Sequence, residues 1–339
     1  MMSANIPLSG PEKPPAPADR RLRDRLVIAL LLGLFVLGLA GLAAATGWQE
    51  MRDQIARLSL WQVAVLLALA LVNYVLRGLR WHLFARGLGL PTGIGQDLRH
   101  FLGGFAMIVT PGRVGELVRM RWLRRETGWA YARSAPLALM DRASDLAAMA
   151  LILGAVLVLA PGRMAGAAPV AVLALAAALV ATRPRLLALL VTLGHRLTGR
   201  LPRLFGRLRA AARSLGRVAG ARVMVPALGL GLVGWLAEGW GFHLLLGWMG
   251  AEIGAWKAVG IFVFATLAGG LTGAPGGVGG AEAAMIALLA LEGVPFEVSV
   301  PATAIIRLTT LWFALGIGIA VFPLAERASL KGTGRVEDR

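Results

Sequence analysis

Long apolar runs separated by short basic connections set the pattern of this chain. The first, Leu26 to Ala45, follows Arg20, Arg21, Arg23 and Arg25, and the second, Leu58 to Leu76, leads into Arg77, Arg80 and Arg86. Further runs cover Ala143 to Ala160, Ala167 to Thr182, Val223 to Met249 and Val298 to Phe322. Each comes near the ~20 residues that carry a helix across a ~30 Å hydrocarbon layer. The pattern therefore predicts an all-α polytopic membrane protein with about six full transmembrane helices. Cytoplasmic loops collect arginine and lysine, and on that rule both termini lie in the cytoplasm.

Two further apolar runs are too short and are broken by Pro-Gly. Phe101 to Thr110 stops at Pro111-Gly112 and continues into the arginine-rich segment ending at Arg125. Ala258 to Gly273 breaks at Ala274-Pro275-Gly276-Gly277 and resumes as Ala281 to Leu291. Proline removes a backbone donor and glycine loosens the chain, so neither fits the middle of an ordinary span. Each break predicts a re-entrant hairpin, for which irregular backbone at membrane depth is tolerated inside protein. An interfacial helix lying on the membrane is the alternative for the first.

The two breaks belong to an internal repeat. His82-Leu83, Gly89 and Ile94-Gly95 recur in order as His243-Leu244, Gly250 and Ile253-Gly254, ahead of PGRVG and PGGVG. Glu116 and Glu282 follow the breaks, and Arg142 and Arg307 come about one helix length later. The arginine bias makes the first hairpin open inward and the second outward. The expected architecture is thus a pair of inverted repeats, 58–160 and 223–322, whose broken elements meet near the midplane. Residues 1–19 form a proline-rich cytoplasmic tail, 20–325 the transmembrane domain, and 326–339 a second cytoplasmic tail. The stretch 183–222, with ten arginines and no acid, is a basic cytoplasmic linker suited to an anionic lipid surface.

Composition agrees with this class: 57% of residues are hydrophobic and the mean hydropathy is +0.71. The net charge of +17 raises nucleic acid as a partner, but the basic residues sit in connections between spans, where the positive-inside bias accounts for them. Without cysteine there is no disulfide, thiol catalysis or thiolate metal site. The four histidines lack metal-ligand spacing, and no phosphate-binding GxxxxGK or serine elbow occurs. No cofactor, metal or catalytic group is expected.

An anionic head group needs compensating charge to pass through hydrocarbon, and arginine binds phosphate through a permanently charged fork. Arg113, Arg142 and Arg307 are the phosphate-binding candidates, with Arg119 and Arg121 at the cytoplasmic entrance. Glycine-rich turns such as Pro275, Gly276 and Gly277 add backbone donors. The alternative is that these arginines neutralise carboxylates, Arg113 with Glu282 or Arg307 with Glu116, and hold the hairpins together. Glu116, Glu282 and Glu238 are intramembrane acids, either proton-coupling groups or ion-pair partners. The second break has Gly277 where the first has Arg113, so the halves are not equivalent.

Taken together, Pro111, Gly112, Arg113, Gly115, Glu116 and Arg119, then Arg142 and Asp145, then Pro275, Gly276, Gly277, Gly279 and Glu282, resemble the flippase-like lysylphosphatidylglycerol synthase transmembrane family. The similarity runs from about residue 20 to 325. It implies translocation of a lipid or lipid-linked anionic cargo (phospholipid, polyprenyl-phosphate sugar or hopanoid-related lipid) in the cell inner membrane, by alternating access. The expected partners are membrane lipids and anionic head groups, with lipid or glycan biosynthesis enzymes as further candidates. The rivals are a scaffold that recruits such enzymes through 183–222, and a lipid-modifying enzyme using Glu116 with Asp145.

Overall fold

The computed structural model describes residues 58–108, 110, 114–160 and 220–337, with isolated positions at 56 and between 169 and 192. The described residues are helical throughout, with no strand. Helix α1 (Leu60–Gly87) begins at Ser59, whose hydroxyl accepts from the Gln62 amide while the Gln62 side chain accepts from the Ser59 amide. This reciprocal cap satisfies two of the donors that a helix start leaves open. Helix α2 (Ile94–Gly103) passes into a 3-10 turn (Gly104–Met107), and α3 (Val114–Thr127) leads to the long α4 (Tyr131–Leu159). After residue 220 the order repeats: α5 (Ala221–Trp248), α6 (Ala255–Leu271), a 3-10 turn (Pro275–Gly277), α7 (Gly280–Leu291) and α8 (Phe296–Arg307). A π turn (Leu308–Trp312) joins α8 to α9 (Phe313–Glu337).

Among the described residues, four helical stretches are long and apolar enough to cross a membrane: Leu60–Gly87, Arg133–Leu159, Ala221–Trp248 and Phe296–Lys331. The expected spans Leu26 to Ala45 and Ala167 to Thr182, and nearly all of the linker 183–222, lie outside the described residues. Three boundaries differ from expectation. Helix α1 does not stop at Leu76 but continues through Arg77 and Arg80 for another three turns, and Arg80 is fully buried. Helix α4 starts at Tyr131, which moves Asp141, Arg142 and Asp145 from a span entrance to the middle of a helix. The last helix runs past Phe322 to Glu337, and its span-forming stretch is Phe296–Lys331. In each case a charge ends the apolar run in the sequence, whereas a buried partner lets the helix continue.

Lipid tails are as apolar as leucine, so helices in a membrane associate through close packing of small residues. Glycines mark those places. On α5, a Cβ at Gly231 would lie 3.1 Å from the Arg80 guanidinium, one at Gly234 3.4 Å from the Asn73 Cα, and one at Gly241 3.5 Å from Leu66. As the numbers rise along α5 they fall along α1, so the two helices cross antiparallel. The largest apolar core lies around Phe242, Val259, Phe262, Met285 and Ile305, and a second one around Tyr74, Trp81, Phe101 and Phe105.

Helices α6 and α7 have 17 and 12 residues. At 1.5 Å per residue they measure about 25 and 18 Å, each short of a full crossing. They pack on each other across the break: a Cβ at Gly269 would meet the Ala281 Cβ at 2.6 Å and the Gly277 carbonyl at 2.9 Å. The turn itself uses left-handed backbone at Gly276 (φ 63°), Gly277 (φ 68°) and Gly279 (φ 84°), which residues other than glycine adopt at a cost. The Arg113/Gly277 asymmetry has its reason here. Gly277 is left-handed and lies 3.0 Å, measured from an added Cβ, from the Gly269 backbone, so an arginine has no room in the second break.

Candidate functional site

The crossing of α1 and α5 gathers the charged residues. Asp145, on α4, accepts from the Arg77 guanidinium at 2.7 Å, lies 2.8 Å from that of Arg80, and accepts from the Trp235 indole at 3.1 Å. Arg80 also reaches Asp141 at 2.5 Å. Arg142 lies 3.8 Å from Asp145 with its side chain 35% exposed, a looser contact. Arg77 is further held between two aromatic faces, 5.1 Å from the Trp235 ring and 5.7 Å from that of Phe101. Removing ions from water costs several kcal/mol each even after relaxation, and only close pairing returns that cost. These pairs are close.

On the other side of the crossing, Arg307 donates from Nε to Glu282 at 2.5 Å and from Nη2 to the Gly276 carbonyl at 2.9 Å. The second Glu282 oxygen accepts from the Gly279 amide at 2.6 Å, capping α7. Arg307 thus clamps both the Pro-Gly turn and the first turn after it. The sequence offered Glu116 as one carboxylate for Arg307; the described partner is Glu282, in its own repeat. The reason is local, since Arg307 ends α8 directly beside the α7 N-terminus, where a carboxylate is already favoured. Pro111, Gly112 and Arg113 lie outside the described residues, as does the Glu116 side chain.

Arg119 is buried and lies 4.3 Å over the Phe101 ring, flanked by Trp81 and Phe105. It packs inside the first repeat and does not stand at an open entrance. Arg121 does lie near the surface, donating to Glu326 at 2.7 Å; the same carboxylate accepts from the Trp122 indole and from Arg125, both at 2.6 Å. Three donors from α3 thereby fasten α9.

The sequence reading missed Arg77, Arg80, Asn73 and Trp235. A signal for them exists in the repeat. His82 and His243 differ by 161 positions, as do Gly89 and Gly250. The same spacing makes Tyr74 the counterpart of Trp235, Asn73 of Gly234, and Arg77 of Glu238. Asn73 and Gly234 touch at the helix crossing, so equivalent positions meet there. Tyr74 and Trp235 each donate from the polar tip of an aromatic ring, Tyr74 to the Thr310 carbonyl in the π turn and Trp235 to Asp145. Glu238 is buried at 5% exposure, faced by Asn73, with Arg77, Arg307 and Asp145 acting on its charge. The histidines themselves do not share a contact. His82 bonds Asp97 at 2.6 Å, whereas His243 packs against the Trp240 ring.

At the end of α2, Asp97 accepts from Thr92 and bonds His82, and burial nevertheless pushes its carboxyl above the usual range. Glu126, on α3, is also desolvated, but bonds from His100, Arg99 and Gln96 prevail and hold it below the usual range. Among the described residues no cluster of three metal-binding side chains occurs. An apolar groove of about 400 Å³, lined by Leu69, Val233, Leu236, Ala237, Trp240 and Val259 among others, runs along the more exposed face of α5.

Comparison with known proteins adds two findings. The family model for the lysylphosphatidylglycerol synthase transmembrane region matches residues 26–318. A UPF0104 membrane protein of Methanothermobacter thermautotrophicus is 25% identical over 324 residues, covering 87% of this chain and 94% of that one.

Proposed function

We propose that this chain, which belongs to the family of lysylphosphatidylglycerol synthase transmembrane regions, moves a lipid or lipid-linked anionic cargo across the inner membrane by alternating access. The carrying observation is the layer of buried arginines and carboxylates at the point where α1 and α5 cross antiparallel at equivalent positions. Two repeats related in this way are inverted, and inverted repeats with broken helices expose a midplane site to each side in turn. In this reading α6 and α7 form a re-entrant hairpin, the segment from α2 to α3 forms its counterpart, and the arginine bias keeps both termini in the cytoplasm. The apolar groove on the exposed face of α5 suits an acyl or prenyl chain, and the buried arginines suit the head group.

Two features support transport over lipid chemistry. Asp145, the expected partner of Glu116 in an acid–base pair, has its oxygens committed to Arg77, Arg80 and Trp235. Arg307 and Glu282 hold the second break and leave α8 fastened to α7. The cargo class rests on the charge and the groove; a phospholipid and a polyprenyl-phosphate sugar meet both.

Vesicles reconstituted with the purified protein and a fluorescent anionic phospholipid test the reading. Lipid in the inner leaflet should become accessible to an external quencher faster than in empty vesicles, and Arg113→Ala should slow it at least tenfold. Equal rates with and without protein, for phospholipid and for a polyprenyl-phosphate probe, would sink it. A cellular phenotype lost only on deletion of 183–222 would then favour the scaffold.

A further inference from the structure

We infer that Glu238 is the proton-binding group that couples transport to a proton gradient, resting on the transport reading above. Every other described carboxylate in the charged layer is committed to an arginine: Asp141 to Arg80, Asp145 to Arg77 and Arg80, and Glu282 to Arg307. Glu238 is as deeply buried as these, yet the side chain set against it is the neutral amide of Asn73.

That choice of partner matters chemically. An arginine serves only a carboxylate, whereas an amide donates to a carboxylate through its nitrogen and accepts from a carboxylic acid through its oxygen. Both polar atoms of Asn73 are buried without a well-aligned hydrogen bond. Neither atom is taken up by another group, and the chemistry of an amide suits either form of Glu238. The surroundings from each packed element are consistent with a group that changes charge. Helix α1 brings Arg77 and the Tyr74 ring, α4 brings Asp145, and α8 brings Arg307. Helix α6 brings Val259 against Gly239 and Phe262 against Phe242, both apolar.

The charge balance says what protonation would do. Arg77, Arg80, Arg142 and Arg307 face Asp141, Asp145, Glu238 and Glu282, so the charges of these eight side chains cancel when all are ionised. A proton taken from water onto the Glu238 carboxylate gives the acid and leaves the layer with one net positive charge. An anionic head group restores neutrality. Release of the proton on the opposite side returns the carboxylate and expels the anion. Proton and anionic cargo therefore travel together, and Arg77, the counterpart of Glu238 in the other repeat, supplies the fixed charge against which this exchange occurs.

The test uses the full chain in vesicles with a fluorescent anionic phospholipid, an internal pH dye and an imposed pH gradient. For the wild type, translocation should run at least threefold faster with protons moving down their gradient in the direction of the cargo, and the dye should report proton entry. Glu238→Gln should abolish both responses, and Glu238→Asp should keep them. A gradient response retained in Glu238→Gln, or a response to a sodium gradient in place of protons, would overturn the inference. Infrared titration of the wild type in detergent gives a reading independent of transport and of the folding of any one variant. A protonated carboxyl band that titrates, and that is missing in Glu238→Gln and shifted in Asn73→Leu, supports the assignment. A band unchanged in both variants, or no titration at all, refutes it, whereas absence of lipid movement in every sample overturns the transport reading alone.

Discussion

Asn73 and Gly234 stand at the same place in the two repeats and touch each other where α1 crosses α5, with only 2.8 Å between Asn73 Oδ1 and a Cβ placed on Gly234. A β-branched side chain there would push against the Asn73 Cα as well as its amide. Gly234→Val should therefore wedge the crossing apart and lower the unfolding free energy in detergent by about 1–3 kcal/mol, the cost of overpacking, which a lowered melting temperature would register. Gly229→Val, where an added Cβ meets nothing within 4 Å, is the control and should be near neutral.

Gly318 on α9 lies against backbone, not side chain: an added Cβ would sit 2.1 Å from the Ala106 amide nitrogen and 2.5 Å from the Phe105 carbonyl carbon. Backbone inside a 3-10 turn has little freedom to yield. Gly318→Ala should displace α9 from the turn at Gly104–Met107, with a marked loss of thermal stability. An unchanged melting curve would show that the two elements do not pack this closely.

Asp145 neutralises two buried arginines at once. Asp145→Asn keeps the volume but leaves Arg77 and Arg80 underpaired, which for a broken buried pair costs about 3–5 kcal/mol. Calorimetry or denaturant unfolding in detergent should register a loss of that order. Replacing Arg77 by Met in the same background should recover part of it, because one uncompensated charge is removed.

Glu126 and Asp97 predict opposite pH dependences on the described end of α2 and α3. Glu126 has a folded-state value below its ordinary 4.5. Its stabilising contribution is thus fully present above 4.5 and is lost as pH falls through the lower folded value. Asp97 has a folded-state value above its ordinary 3.8. Its contribution is present below 3.8 and is lost as pH rises through the raised value. Melting temperature followed on the acid side should therefore fall less steeply in Glu126→Gln than in the wild type, and more steeply in Asp97→Asn. The same slope in all three proteins would contradict the assignment.

Glu326 accepts from Arg121, Trp122 and Arg125. Glu326→Ala should release α9 from α3 and raise amide hydrogen exchange in residues 322–337 while leaving α5 and α6 protected. Uniform exchange throughout the chain would mean that the contact does not hold the helix locally.

What the chain determines by itself is its class, its repeat and the positions of its breaks. Apolar length and basic connections are one-dimensional properties, and a Pro-Gly pair interrupts a helix whatever surrounds it. The left-handed glycines at 276, 277 and 279 could be anticipated on that ground, whereas the pairing of Glu282 with Arg307 came only with the fold. What tertiary structure decided was the cost of charge. A lone arginine in an apolar run reads as the end of a span, because an unpaired ion does not enter hydrocarbon. Arg77 and Arg80 do enter, because Asp141 and Asp145, more than 60 positions away, arrive on α4 at 2.5 to 2.8 Å. The same contacts settled which acids were bound to arginine and which one, Glu238, faces an amide instead. No periodicity carries that information, since the partners of a buried charge depend on which helices cross and at what level.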